Sequence, residues 1–201
     1  MKAGALLVGV ALLAGCASSG PREPFRYFVL DAPAAATAGT APAAPSEATL
    51  LVLPTVAAAF YATQEIAYSK AEGVRAYYQF SNWTEPPDAA VTRVLVSRID
   101  DAHLFRAVAV AGGGMRGTLV LATQLLEIYH DASASPGTAR IVIVAELRDP
   151  ARRMPVARRT FSAAVPASTF DAAGAVQGFR TGLGRIGAEM TAWLAAVASA
   201  K

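Results

Sequence analysis

Cysteine is almost missing from this 201-residue chain: Cys16 stands alone, so no intramolecular disulfide can form. Lysine is nearly as scarce, confined to Lys2, Lys70 and Lys201, and the other basic residues are arginines. The formal charge of +3 is too small to argue for a nucleic-acid partner. Histidine occurs at His103 and His130, without the spacing that gathers metal ligands or an acid–base pair; both are read as structural. No nucleophile and base are joined by a recognisable motif, so an enzyme is not expected. The segment Gly112-Gly113-Gly114-Met115-Arg116-Gly117 lacks the Gly-Lys-Ser/Thr ending and following helix of a phosphate loop. It is read as a hairpin loop between two strands. Beyond the N-terminus no apolar run approaches the length of a membrane span.

The N-terminus itself is different. Lys2 precedes an uninterrupted apolar or small run from Ala3 to Ala14, the pattern of a secretory signal peptide and too short for an ordinary span. Leu13-Ala14-Gly15-Cys16 closes it as a bacterial lipobox: aliphatic, small, small, cysteine. Small residues let the backbone enter a protease cleft, and the Cys16 thiol is the nucleophile that accepts a diacylglyceryl group. Residues 1–15 are therefore expected to be removed, 16–24 to form a lipidated tether, and 25–201 to form one periplasmic domain. Each buried methylene contributes about 0.8 kcal/mol, so two or three acyl chains (palmitate and its like) anchor firmly. That covalent lipid is the sole prosthetic group expected. Ala17 rather than Asp follows Cys16, which favours the periplasmic face of the outer membrane over the inner membrane. Loss of Lys2 with the leader lowers the formal charge to +2.

Along the body, Phe25 to Leu30 has the aromatic and β-branched content of a strand. Residues 32–48 are low-complexity Ala/Pro/Thr/Gly and are expected to be a flexible loop. Leu50 to Leu53 reads as a short buried strand, and Gln64–Ser69 and Gly73–Phe80 as a hairpin about Lys70-Ala71-Glu72-Gly73. Thr84 is the expected cap of a helix carrying Val91, Val94, Leu95, Val96, Ile99 and Ala102 at helical spacing. Strands are expected at 105–109, 118–129, 139–147 and 155–165, as successive hairpins or a meander. A last helix follows the box-like start Ser168-Thr169-Phe170-Asp171. The fold class is α+β (α/β): a single largely antiparallel β-sheet with two helices packed on one face.

With the lipobox come Tyr27-Phe28-Val29-Leu30, Leu51-Val52-Leu53-Pro54, Tyr61, Ile66-Ala67-Tyr68, and Tyr77-Tyr78 leading to Trp83-Thr84-Glu85-Pro86-Pro87. A Phe105 strand then follows an Asp/His-Leu turn. Together these resemble the ABC-type transport auxiliary lipoproteins, the PqiC-like family, over essentially the whole mature chain. Asn82 and Thr84 flank Trp83 where members of that family often carry a second Trp or a Trp-Ala pair. The resemblance implies an accessory protein working with an MCE-domain protein, an ABC permease and an ATPase that move lipids or other hydrophobic molecules between membranes. It carries over no catalytic residue; Cys16 alone transfers with a chemical role.

Two surface features invite a binding role. Tyr77, Tyr78, Phe80 and Trp83 gather aromatics at one strand end, and alternation puts Tyr78 and Phe80 on one face. They are either core and edge cover, or an anchor through Tyr78 and Trp83 for a partner protein or lipid tail. Arg152, Arg153, Arg158 and Arg159 cluster around the final hairpin. They either solvate a strand edge or meet anionic headgroups or an acidic partner. Gly182, Gly184, Gly187 and Ala188 make the last helix slim enough for a homo-oligomer. Besides docking on the MCE protein, two alternatives stand: a periplasmic lipid-binding carrier with an apolar pocket between sheet and helices, and an outer-membrane assembly or pilot lipoprotein.

Overall fold

The computed structural model describes residues 24–33, 46–112, 114, 116–152 and 154–199. The leader, Cys16, Arg153 and most of the Ala/Pro-rich loop lie outside them. Nine strands join in one curled sheet: β1 (Arg26–Phe28), β2 (Ser46–Val52), β3 (Val56–Ala57), β4 (Glu65–Ser69), β5 (Ala76–Trp83), β6 (Phe105–Val110), β7 (Leu119–Asp131), β8 (Thr138–Asp149) and β9 (Met154–Pro166). Helix α1 (Pro87–Asp101) follows β5, and α2 (Ala172–Ser199) follows β9.

The long strand β7 is the spine. On one side β8 pairs with it antiparallel, from Val120↔Arg148 to Asp131↔Thr138, and β9 extends that ladder. On its other side β2, β3 and β4 lie end to end, each parallel to β7, at Leu50↔Leu119, Val56↔Gln124 and Tyr68↔His130. Strand β6 then adds parallel to β2, β5 antiparallel to β4, and β1 parallel to β5 at the sheet's edge. The antiparallel ladders hold most of the paired residues, but the sheet is mixed. Strand β2 sits between β6 and β7, so the connection through Gly112 crosses over β2 and is not the hairpin loop expected from the sequence. Parallel pairing with two neighbours also explains why Leu50 to Val52 reads as an apolar run: Leu50 and Val52 are fully buried. The strand starts at Ser46, inside the stretch assigned to the loop 32–48.

Both helices cover one face. In α1 the buried residues Ala90, Val91, Val94, Leu95 and Ile99 form the stripe expected from spacing. Pro86, not Thr84, is its N-cap, with no side-chain cap bond; the Thr84 amide instead donates to the Phe28 carbonyl (2.9 Å). Pro87 suits the first turn, where no amide partner is needed. Helix α2 turns Val176, Phe179, Leu183, Ile186, Met190 and Leu194 inward. Its cap is Asp171, whose Oδ1 accepts from the Gly174 amide at 2.9 Å. Close approach to the sheet requires Gly178, where an added Cβ would lie 2.7 Å from the Ala139 Cβ. Gly182 faces Ala163 and Ile141, while Gly184 and Gly187 face Arg98 of α1. The small residues that suggested packing between copies are thus used within the chain, and Ala188 alone of the four is exposed.

Candidate docking surfaces

The sequence brought four aromatics of β5 together, and the structure separates them. Tyr78 and Trp83, five residues apart, both face the helices, which strict alternation forbids. A register shift between Glu65 and Ala67 of β4 breaks the ladder with β5 and resets the parity. Trp83 pairs with Phe28 and meets the Phe179 ring edge-on at 5.7 Å. With 1% of its surface exposed, it is a core residue, the first of its two readings, and not a surface anchor. Tyr77 faces away from the helices, stacks on Phe60 at 4.5 Å and donates to the Phe60 carbonyl (2.7 Å).

Tyr78 is half-buried and its hydroxyl is already engaged. His130, fully buried, lies between the Tyr78 hydroxyl at 2.6 Å from Nδ1 and the Pro136 carbonyl at 3.0 Å from Nε2. A carbonyl only accepts, so Nε2–H donates to Pro136 and Nδ1 accepts from Tyr78. Burial holds the imidazole pKa below its ordinary value despite the Pro136 bond and the nearby Asp131 and Asp171. Burial first, then Asp171 and Tyr68, pushes the Tyr78 phenol up to about 12. Gly137 makes the arrangement possible: it adopts φ of +86°, and a Cβ there would overlap His130 Nε2. Tyr68 and Phe170 complete the cluster around Tyr78 and His130. His103 lies in the turn just after α1 with φ of 50°, its amide donating to the Asp100 carbonyl. Among the described residues no three His, Cys, Asp or Glu side chains converge as metal ligands.

The arginines of the last hairpin do not form one patch either. Arg158 lies opposite Glu146 and Arg159 opposite Ala145, so they project from opposite faces of the edge strand β9. Arg159 caps the Phe161 ring at 5.0 Å on the helix side. Arg158 lines a shallow depression of about 170 Å³ on the outer face with Gln124, Glu146 and Arg148. A neighbouring depression of about 410 Å³ runs from Val120 and Arg148 to Met154 and Pro155. Arg152 extends from the turn, 3.5 Å from Asp149, and Arg153 lies outside the described residues.

One surface was missed. Phe25, Tyr27 and Val29, on the edge strand β1 and its flanks, are each more than half exposed, at 55%, 62% and 51%. The signal was present in the alternation of Phe25 to Leu30, but edge placement decides which side stays wet.

The sequence model described as the ABC-type transport auxiliary lipoprotein component matches residues 28–191. The chain belongs to this family. Among solved structures, protein XCC0632 from Xanthomonas campestris, a DUF330 protein, is 23% identical; the match covers 88% of this chain and 97% of that one, with a TM-score of 0.73. A second, uncharacterised protein is 14% identical over 87% and 98% of the two chains, with a TM-score of 0.64. The hypothetical protein CT253 from Chlamydia trachomatis is 12% identical over 78% and 100%, at 0.51. At these identities the likeness is one of fold. No curated protein sequence matches. The family is described as an auxiliary component of transport, and no helix among the described residues is long and apolar enough to cross a membrane.

Proposed function

We propose that the protein is a non-enzymatic, lipid-anchored auxiliary component of an ABC/MCE-type system moving lipids or other hydrophobic molecules between membranes. Its folded body docks on the periplasmic MCE-domain protein, with the permease and ATPase as the other partners. Acyl chains on Cys16 hold it at the periplasmic face of the outer membrane, Ala17 favouring that destination. The observation that carries this reading is the family match, which spans nearly the whole folded body. The exposed arginines Arg158 and Arg159 on the two faces of β9 and Arg152 at its turn, with Arg153 next to Arg152 in sequence, offer an acidic partner a basic hairpin without being one flat patch.

The carrier alternative needs an apolar cavity between sheet and helices. That space is occupied by Trp83, Phe161, Phe179, Leu121, Leu125 and Ile143, all with under 2% of their surface exposed, which favours docking. Affinity purification of the lipoprotein from crosslinked membranes, with mass spectrometry of proteins and lipids, tests the choice. Recovery of an MCE protein, permease and ATPase is the expected result. Stoichiometric lipid without those proteins would overturn docking in favour of a carrier.

A further inference from the structure

Strand β1 is an unpaired edge, bonded to β5 alone among the described strands. Phe28 and Leu30 turn inward to the core while Phe25, Tyr27 and Val29 alternate outward. Phe25 lies 6.2 Å from Tyr27 and meets Phe80 edge-on at 6.0 Å, so the rings form one patch. An apolar, aromatic edge strand open to water is a template for aggregation, and a soluble protein would be expected to blunt it.

The patch is also held rigidly. The Phe28 carbonyl accepts from the Thr84 amide, the Leu30 carbonyl from Arg93 (3.3 Å), and Arg180 of α2 pairs with Asp31. Arg98 of α1 donates to the Pro33 carbonyl. The backbone on the C-terminal side of the patch is thereby tied to both helices.

Chain length decides what covers it. Nine peptide units separate Cys16 from Phe25, and even fully extended they reach only about 30 Å. A body anchored at Cys16 therefore keeps this strand next to the bilayer, at high effective concentration, so weak insertion suffices. Tyr and Phe are suited to that zone, with an apolar body for the acyl boundary and, in Tyr27, a hydroxyl for the headgroups.

We infer that Phe25, Tyr27 and Val29 form a seat that rests on the lipid surface and fixes the orientation of the body on its membrane. The inference rests on the anchoring of Cys16. The test uses the acylated full-length mature protein in phosphatidylethanolamine/phosphatidylglycerol vesicles, with and without brominated acyl chains. Emission from Tyr27→Trp is compared with that from Thr160→Trp on the exposed β9 edge, after subtraction of the parent protein. The expected result is a blue shift and bromine quenching at position 27 and neither at position 160. Acylated, vesicle-bound protein with an unshifted, unquenched Tyr27→Trp overturns the seat and leaves the anchor standing. Absence of acyl mass on Cys16 overturns the anchor, and the seat with it. Shielding of position 27 in native membranes but not in lipid vesicles assigns the patch to a protein and also overturns the inference.

Discussion

At the scale of single residues, burial separates the aromatics that matter for folding from those available for contact. Trp83 and Phe179 fill the sheet–helix interface, so Trp83→Ala should cost about 3–5 kcal/mol, seen as a lower midpoint in urea unfolding. Tyr27→Ala, at an exposed position, should stay within about 0.5 kcal/mol of the parent. His130 supplies a pH signature. Its folded-state pKa is depressed by burial, so its contribution is present above the unfolded value near 6.5 and is lost as pH falls through the folded one. The carboxylates with depressed values, Asp131 and Asp171, act in the same direction but only near pH 4 and below. Stability should therefore decline between pH 7 and 5 in the parent. In His130→Gln that decline should flatten; an unchanged slope would show that another group titrates there.

At the scale of elements, the helices and the sequential hairpins β4–β5, β7–β8 and β8–β9 were readable, and the parallel neighbours were not. The stripes of α1 and α2 follow from spacing, because one helix face must be apolar wherever it packs. The start of α2 was visible as the box-like Ser168-Thr169-Phe170-Asp171, but the cap is Asp171, and the Ser168 hydroxyl bonds Gln177 instead; Asp171→Ala should cost about 1 kcal/mol, checked by thermal unfolding. Strand existence was legible from β-branched and aromatic runs. Parallel pairing was not: β2, β3 and β4 sharing one flank of β7 is a long-range arrangement with no local signature. For the same reason the parity change in β5, which moved Trp83 inward, and the crossover through Gly112 could not be read from alternation or turn residues. The packing of the α2 glycines was not legible because small residues look alike whether they face another copy, the neighbouring helix or their own sheet. Gly178→Val, pressing on Ala139, should lower stability by about 1–3 kcal/mol or more, whereas Ala188→Val on the exposed side should not.

For the whole molecule, the arrangement sets a membrane-proximal edge at β1 against a solvated basic hairpin at β8–β9. Both lie on the outer edges of one rigid sheet, far apart in strand order. That geometry suits a body that stands on a bilayer by one edge and presents another to a partner. Changing Arg152, Arg153, Arg158 and Arg159 together to Gln should weaken partner association with little change in the unfolding midpoint, since Arg152, Arg158 and Arg159 are exposed. The effect should shrink as salt rises; association equally strong at low and high salt, in parent and variant alike, removes the hairpin from the interface. The most direct measurement is a binding titration of the purified MCE-domain ectodomain against the acylated lipoprotein held in nanodiscs by Cys16. The account predicts saturable, salt-sensitive binding that the four-arginine variant weakens. A folded, acylated protein that shows no binding at any salt concentration would contradict it.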